Sequence, residues 1–288
     1  MITITAASSQ FGRVVLDELL NRGVPAGEIV AGSRDVTKLS DYATRGVQVR
    51  HLDYNDPATI EAALADVDRL LLVSSSAFGQ LVAQHTNVIN AAKKADVNHI
   101  AYTSFLNADT SGMVMAQPHA ETEKLIKDSG IPFTILRNGN YLENYSNFVG
   151  FWIQYHQAMG AAGDAKISFA SRTDLAQAAA ILLTGDLPAN TTHDLAGPAY
   201  TMADLVATAA AVADTEIAYV NMTKDDYAAT LASGGVPAPL AAGLADLNAG
   251  AQGGGWYTDS TELETVLGRP ATTPREVFTA AIAAGQQY

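Results

Sequence analysis

Six short apolar runs recur through the first half of the chain, with helical patterns between them: MITIT (1–5), EIVAGSR (28–34), VQVRHLD (47–53), RLLLVSSS (69–76), HIAYTSF (99–105) and PFTILRN (132–138). Strands buried on both faces read as continuous apolar runs, and strands separated by helices pair in parallel because the chain must cross back over the sheet. This rhythm predicts an α/β fold, a Rossmann-like doubly wound parallel sheet. Between the fourth and fifth runs, Phe78, Leu81, Val82, His85, Val88, Ile89 and Ala92 recur at i, i+3, i+4 spacing. The stripe predicts a helix over 78–95 that covers the sheet through a right-handed crossover, with His85 a structural residue on its apolar face. Pro118 starts the next predicted helix, Gly130 ends it, and Pro132 stops it from continuing into the sixth strand.

After residue 138 the pattern changes to an aromatic, Asn-rich stretch, NGNYLENYSNFVGFWIQYH (138–156), and then to Ala-rich helices with short strands between them. The division expected is a dinucleotide-binding domain over 1–137 and, mainly, a smaller and mostly helical substrate lobe over 138–288. Short segments at about 165–197 are expected to return to the sheet. Thr201–Asp204 and Thr223–Asp226 read as helix N-caps with acids in the first turn. Gly268 and Pro270 end one helix, and Thr273-Pro274 begins the last. The run AGAQGGG (249–255) is expected to be a mobile loop.

Charge and composition exclude several partners. Lys and Arg number 17 against 30 Asp and Glu, a net charge of −13 that repels phosphate backbones and anionic membranes. Neither nucleic acid nor a membrane is an expected partner. There is no Cys, and the six His show no pair at helical ligand spacing, so no metal site is expected. A strand begins within two residues of Met1, no signal-like segment precedes it, and no span of about 18 apolar residues follows. The location expected is the cytoplasm.

The first strand runs into TITAASSQFGR (3–13), where a turn opens a helix with Phe11, Val14, Val15 and Leu19 on its apolar side. In a dinucleotide-binding turn one glycine permits the tight bend, a second lets backbone approach the pyrophosphate, and a third lets the helix pack closely. Those places fall on Ala6, Ser9 and Gly12, so two of the three carry a side chain. The helix N-terminus still offers N–H groups and a positive dipole end, and Ser8 and Ser9 carry hydroxyls that can donate to phosphate. An ordinary strand–turn–helix without a ligand is the competing reading.

The second strand ends in Ser33 and Arg34, where an NAD-selective domain carries an acid for the ribose hydroxyls. A guanidinium there, helped by Lys38, suits the 2′-phosphate of NADP(H). Asp53 ends the third strand as an adenine-side contact, and Ser74, Ser75 and Ser76 end the fourth. All three ends face the crevice where open α/β sheets bind ligands.

Longer stretches carry a family resemblance: VSSS (73–76), QHTNVINAAKKADVNHIAYTSFLNADTS (84–111), HAETEKLIKDSGIPFTILRNGNYLENY (119–145), GAAGDAKISFASRTDLAQAAA (160–180) and HDLAGP (193–198). In these the chain resembles the NmrA-like, atypical branch of the short-chain dehydrogenase/reductases, and within it the NADPH-dependent quinone oxidoreductases. The resemblance implies cofactor contacts at Ala6, Ser8, Ser9, Gln10, Phe11, Arg34, Ser74, Ser75, Ser76, Asn138, Gly139, Asn140, Tyr141, Glu143 and Arg172. It implies hydride transfer from NADPH to a quinone or similar flat electrophile, with a small molecule as partner, and leaves a homodimer open. The alternative within the same group is an NADP(H)-binding redox sensor without turnover.

A typical member of the wider family uses a Tyr as general acid with a Lys four residues on. No Tyr here has Lys at that spacing, and the counterpart is His119-Ala-Glu-Thr-Glu123. Chemistry that needs a strong acid is thereby disfavoured, whereas a quinone accepts hydride readily and takes protons from solvent. His119, whose competing reading is an ordinary first-turn helix residue, and Tyr141 are the catalytic candidates. Of the aromatics Tyr141, Tyr145, Phe148, Phe151, Trp152 and Tyr155, spacings of three and four place some in the core, and Tyr141 is nearest the strand end as a pocket wall.

Overall fold

The computed structural model describes residues 1–185 and 189–285. It forms two compact units: Met1–Phe105 with Pro118–Arg137 and Leu175–His193, and Leu106–Gln117 with Asn138–Asp174 and Asp194–Tyr288. Within the interval of about 165–197, the first unit takes Leu175–His193. Residues 106–117 leave the first unit for the second.

In the first unit the expected strands are β1 (Ile2–Ile4), β2 (Ile29–Ser33), β3 (Gln48–His51), β4 (Arg69–Leu72), β5 (His99–Phe105) and β6 (Phe133–Asn138). The sheet order is Thr191–Leu195, β6, β5, β4, β1, β2, β3. Pairing is parallel where β1 meets β2 and β4, where β2 meets β3, and where β4 meets β5. Chain progress runs outward from β1 to β3, then restarts at β4 on the other side of β1, so β1 and β4 flank the point where strand order reverses. Open α/β sheets bind ligands at such a switch point.

Helices α1 (Gln10–Asn21), α2 (Ser40–Thr44), α3 (Pro57–Ala63), α4 (Leu81–Lys94) and α5 (Gln117–Asp128) complete the unit's first half. Every residue of β2 is buried, which explains its unbroken apolar run. The α4 stripe buries His85, Val88, Ile89 and Ala92, and Val88, Ile89 and Ala92 share a core with Ile60, Leu70, Leu72, Ile100 and Tyr102. Phe78, read as the first residue of that stripe, lies before the helix and is 54% exposed. Gln80 caps the helix and ends the pattern there.

The second unit holds a three-stranded sheet in the order Ala199–Tyr200, Ile167–Ala170, Asn140–Tyr141, and a parallel pair of Gln157–Gly160 with Ala218–Asn221. Thr201, Thr223 and Thr273 each cap a helix by accepting from the backbone N–H three residues on. Among the described residues no helix is long and apolar enough to cross a membrane.

The expectation of a mobile loop at 249–255 is corrected. Helix Ala238–Ala249 continues into a 3₁₀ turn, Gly250–Gly253, and Gly254 takes φ +78°. A Cβ on Gly250 would collide with Met113, and one on Gly255 would sit 2.9 Å from Met113 Cε. These glycines are seats for a buried side chain. Asn107 Nδ2 donates to Tyr257 O at 2.9 Å and Val114 N to Asp246 Oδ2 at 2.8 Å, holding 106–117 to the same surface.

Candidate functional site

The turn after β1 keeps its tight form without its usual glycines. Ala7 N donates to Gly32 O and Ser9 N to Ala6 O, both at 2.9 Å, while Ala6 takes φ +46°, the left-handed region that glycine enters without penalty. Gly12 is required by packing: a Cβ would stand 2.7 Å from both Ala6 O and Ala7 Cα. Ser9 is the N-cap of α1, its Oγ accepting from Gly12 N at 3.0 Å. That hydroxyl oxygen is therefore committed to the helix, which the sequence reading did not anticipate. Ser8 Oγ lies 2.9 Å from Ser33 Oγ, joining the turn to the end of β2. Gln10 begins α1, Phe11 is buried behind it, and the first turn carries no acid, so the dipole end fits an anion.

Beyond β2, Arg34 is exposed and makes no hydrogen bond or ion pair among the described residues. Neighbouring arginines are tied down: Arg13 to Asp41 at 2.8 Å and Arg45 to Asp17 at 2.7 Å, each also over the Tyr42 ring. Lys38 is exposed nearby, its carbonyl accepting from Arg13. Asp53 is half-buried, and Oδ1 accepts from Asn55 N at 2.9 Å in the turn toward α3.

At the end of β4, Ser74 N donates to Thr103 Oγ1 at 2.8 Å and Ser75 N to His85 Nε2 at 3.0 Å. The Ser75 hydroxyl is turned to Gln84 and accepts from Ala77 N, whereas Ser76 is exposed. Of the three predicted serines, the middle one shapes the loop.

His119, in the first turn of α5, is half-buried with Nδ1 2.9 Å from the Tyr102 hydroxyl and its ring between Tyr102 and Phe105. Burial pushes its pKa from the ordinary 6.5 down to about 4 against the opposing pull of Glu123. Glu123, at the place of the usual lysine, is buried and bound by Arg137 through Nε at 2.9 Å and Nη2 at 2.7 Å, with Ser104 donating at 2.6 Å. Its charge is thus neutralised inside the unit, and His119 and Glu123 stand where the Tyr/Lys couple would be.

In the second unit, Asn138 is buried, its Nδ2 3.2 Å from the Tyr141 hydroxyl and its Oδ1 without a partner among the described residues. An orphaned buried amide oxygen marks a place where another donor belongs. The Arg172 guanidinium lies 5.5 Å from the Tyr141 ring centre, and burial raises the Tyr141 pKa above its ordinary value. The remaining predicted residues build the frame. Both Glu143 carboxylate oxygens accept from Arg172 N at 2.9 Å, capping helix Arg172–Thr184. A Cβ on Gly139 would stand 2.7 Å from Ala196 Cβ and 2.8 Å from Ser168 O. Asn140 spends its amide on Tyr145 and Asn144.

The aromatic run divides by environment. Trp152 packs on Phe278 and Tyr145 stands edge-on to Phe169, while Phe148, Phe151 and Tyr155 are exposed. Sequence reading missed Tyr102 and Thr122, which lie in an apolar strand and a helix and give no sign of polar work except that their buried hydroxyls need partners.

A family model described as NAD(P)H-binding matches residues 6–186. Quinone oxidoreductase 2 of Escherichia coli is 44% identical over 277 residues, 96% of each chain. The chain belongs to the NAD(P)H-binding, NmrA-like reductases. Among solved members, the E. coli NADPH-dependent quinone oxidoreductase complexed with NADPH superposes with a TM-score of 0.95 at 43% identity, covering 98% of this chain and all of that one. The Citrobacter triphenylmethane reductase complexed with NADP(H) gives 0.92 at 32% identity over 98% of this chain and 100% of that one. These two reductases thus share the fold over 98% of this chain.

Proposed function

We propose that this protein is an NADPH-dependent oxidoreductase that passes a hydride to a quinone or similar flat electrophile. The observation that carries the reading is the likeness to E. coli quinone oxidoreductase 2 at 44% identity across nearly the whole chain. The lack of a Tyr/Lys acid agrees with an acceptor that needs none. When bound, the reduced nicotinamide supplies two electrons as hydride, and one solvent proton completes the balance: quinone, NADPH and H⁺ give hydroquinone and NADP⁺.

The chain's own residues bind, orient and polarise. The α1 N-terminus, with Ser8 and Ser9, would hold the pyrophosphate, Arg34 with Lys38 the 2′-phosphate, and Asp53 the adenine side. Ser74 and Ser76 would border the ribose, and the unpartnered Asn138 Oδ1 would accept from the cofactor's carboxamide with Arg172 close by. Tyr141 supplies a flat wall. A Tyr102 hydroxyl that donates to Nδ1 would leave the proton of the neutral His119 ring on Nε2, where it would hydrogen-bond the acceptor oxygen as negative charge grows there.

The same reading has the protein work in the cytoplasm on a small molecule, with a homodimer to be decided by sedimentation. The second reading, a redox sensor, is favoured by the side chains at Ala6 and Ser9. NADPH titrated by fluorescence, followed by a quinone, separates the two. Oxidation is the expected outcome; binding without oxidation assigns the sensor, and no binding removes both.

A further inference from the structure

His85 is fully buried in α4, and the mechanism above does not use it. Its Nε2 lies 3.0 Å from Ser75 N, and a backbone N–H can only donate. Nε2 is therefore the acceptor, and the single proton of the neutral ring sits on Nδ1. Nδ1 lies 3.0 Å from Thr122 Oγ1, and the Thr122 hydroxyl donates at 2.8 Å to the Pro118 carbonyl, which can only accept. The two backbone ends thus set the direction of all three bonds. Tyr54 and Tyr102 stand edge-on to the ring at 6.1 and 5.3 Å and hold its plane. Burial pushes its pKa down to about 3, so the ring stays neutral and the direction persists at physiological pH.

One end of this chain of bonds is the centre of the Ser74–Ser76 strand end; the other is the residue before His119. We propose that His85 is a positioning residue that, through Thr122, ties the cofactor-side serines to the turn bearing His119. The role of each end rests on the quinone-reductase reading above. The buried location of both His85 and Thr122 means that water does not replace either bond when it is cut.

Two conservative variants cut the chain on opposite sides. In His85→Gln the amide oxygen can stand in the place of Nε2 and accept from Ser75, but the Thr122 arm is lost. In His85→Asn the shorter amide reaches Thr122 only, and Ser75 N–H is left unpaired. NADPH titration and initial rates with a quinone should show His85→Asn weakening NADPH by about three- to tenfold, the range of one buried hydrogen bond, with a smaller effect on kcat. His85→Gln should do the reverse, lowering kcat while NADPH affinity is kept. Thr122→Val, which cuts the chain at its middle, should reproduce the Gln pattern and serves if either His85 variant fails to fold. Affinity and rate falling in the same proportion in both His85 variants, or a Thr122→Val protein with unchanged kcat, would overturn the proposal. A wild-type protein that binds NADPH without oxidising it would instead sink the reductase reading, and the Asn-against-Gln affinities would still decide the Ser75 arm.

Discussion

Arg34 and the two altered turn positions are single residues with separable consequences. Arg34→Asp removes a planar donor fork and adds a charge that repels phosphate, so NADPH should weaken by about ten- to a hundredfold while NADH changes far less. Calorimetry with both cofactors checks this; equal losses would remove Arg34 from the 2′-phosphate. Ala6→Gly relieves a left-handed alanine, and Ser9→Gly releases Gly12 N–H toward a phosphate at a capping cost of a few tenths of a kcal/mol. The double variant should bind NADPH tighter by about 1 to 2 kcal/mol, and Ala6→Gly alone should raise Tm. Unchanged affinity would mean that the Ser9 hydroxyl already serves the phosphate. His119 adds a pH prediction. Its folded pKa, about 4, lies below the ordinary 6.5, so the unfolded chain takes up the proton first as pH falls. The neutral ring's contribution to stability is complete above 6.5 and is lost between 6.5 and 4, and kcat should show no break near 6.5. A His119→Asn protein should have the shallower loss of Tm over that interval.

At the scale of elements, what could be read from the sequence was whatever repeats locally. The six strands and the α4 stripe follow from hydrophobic period, and Thr201, Thr223 and Thr273 from cap chemistry, all set by neighbours a few residues away. Segment 249–255 was misread because a glycine run looks alike whether it is mobile or makes room, and its occupant, Met113, is far away in sequence. The site divides along the same line. Arg34 and the β4 serines are candidates that position after a strand suggests, whereas the commitment of Ser9, Asn140 and Glu143 to internal bonds depends on partners that only folding supplies. Gly255→Val should expel Met113 and loosen 106–117, seen as faster proteolysis within that loop at unchanged Arg34-dependent NADPH affinity. Protection equal to wild type would mean that the loop has a second anchor.

For the whole molecule, a cofactor that binds only the folded chain stabilises it by mass action. NADPH at a hundred times its Kd adds about 2.7 kcal/mol, which for a chain of this size raises Tm by roughly 4 to 5 °C. A thermal scan with NADPH and NADH at equal concentration should rank them in that order, and identical shifts would argue against NADP selectivity. The acidic surface carries no phosphate attraction of its own, so the preference must come from the few cations near β2. The buried Glu123–Arg137 pair reaches further. Installing the conventional couple by His119→Tyr and Glu123→Lys would place an ammonium against a guanidinium already held in the interior, and burying two like charges is more costly than either substitution alone. Changing Arg137 first would leave the buried Glu123 carboxylate without its bidentate partner, so Arg137 would have to change together with Glu123. The chain is in that sense on the far side of an epistatic barrier: installing the conventional couple takes three coordinated substitutions, and each ordering that separates the change at Glu123 from that at Arg137 passes through a poorly folding intermediate.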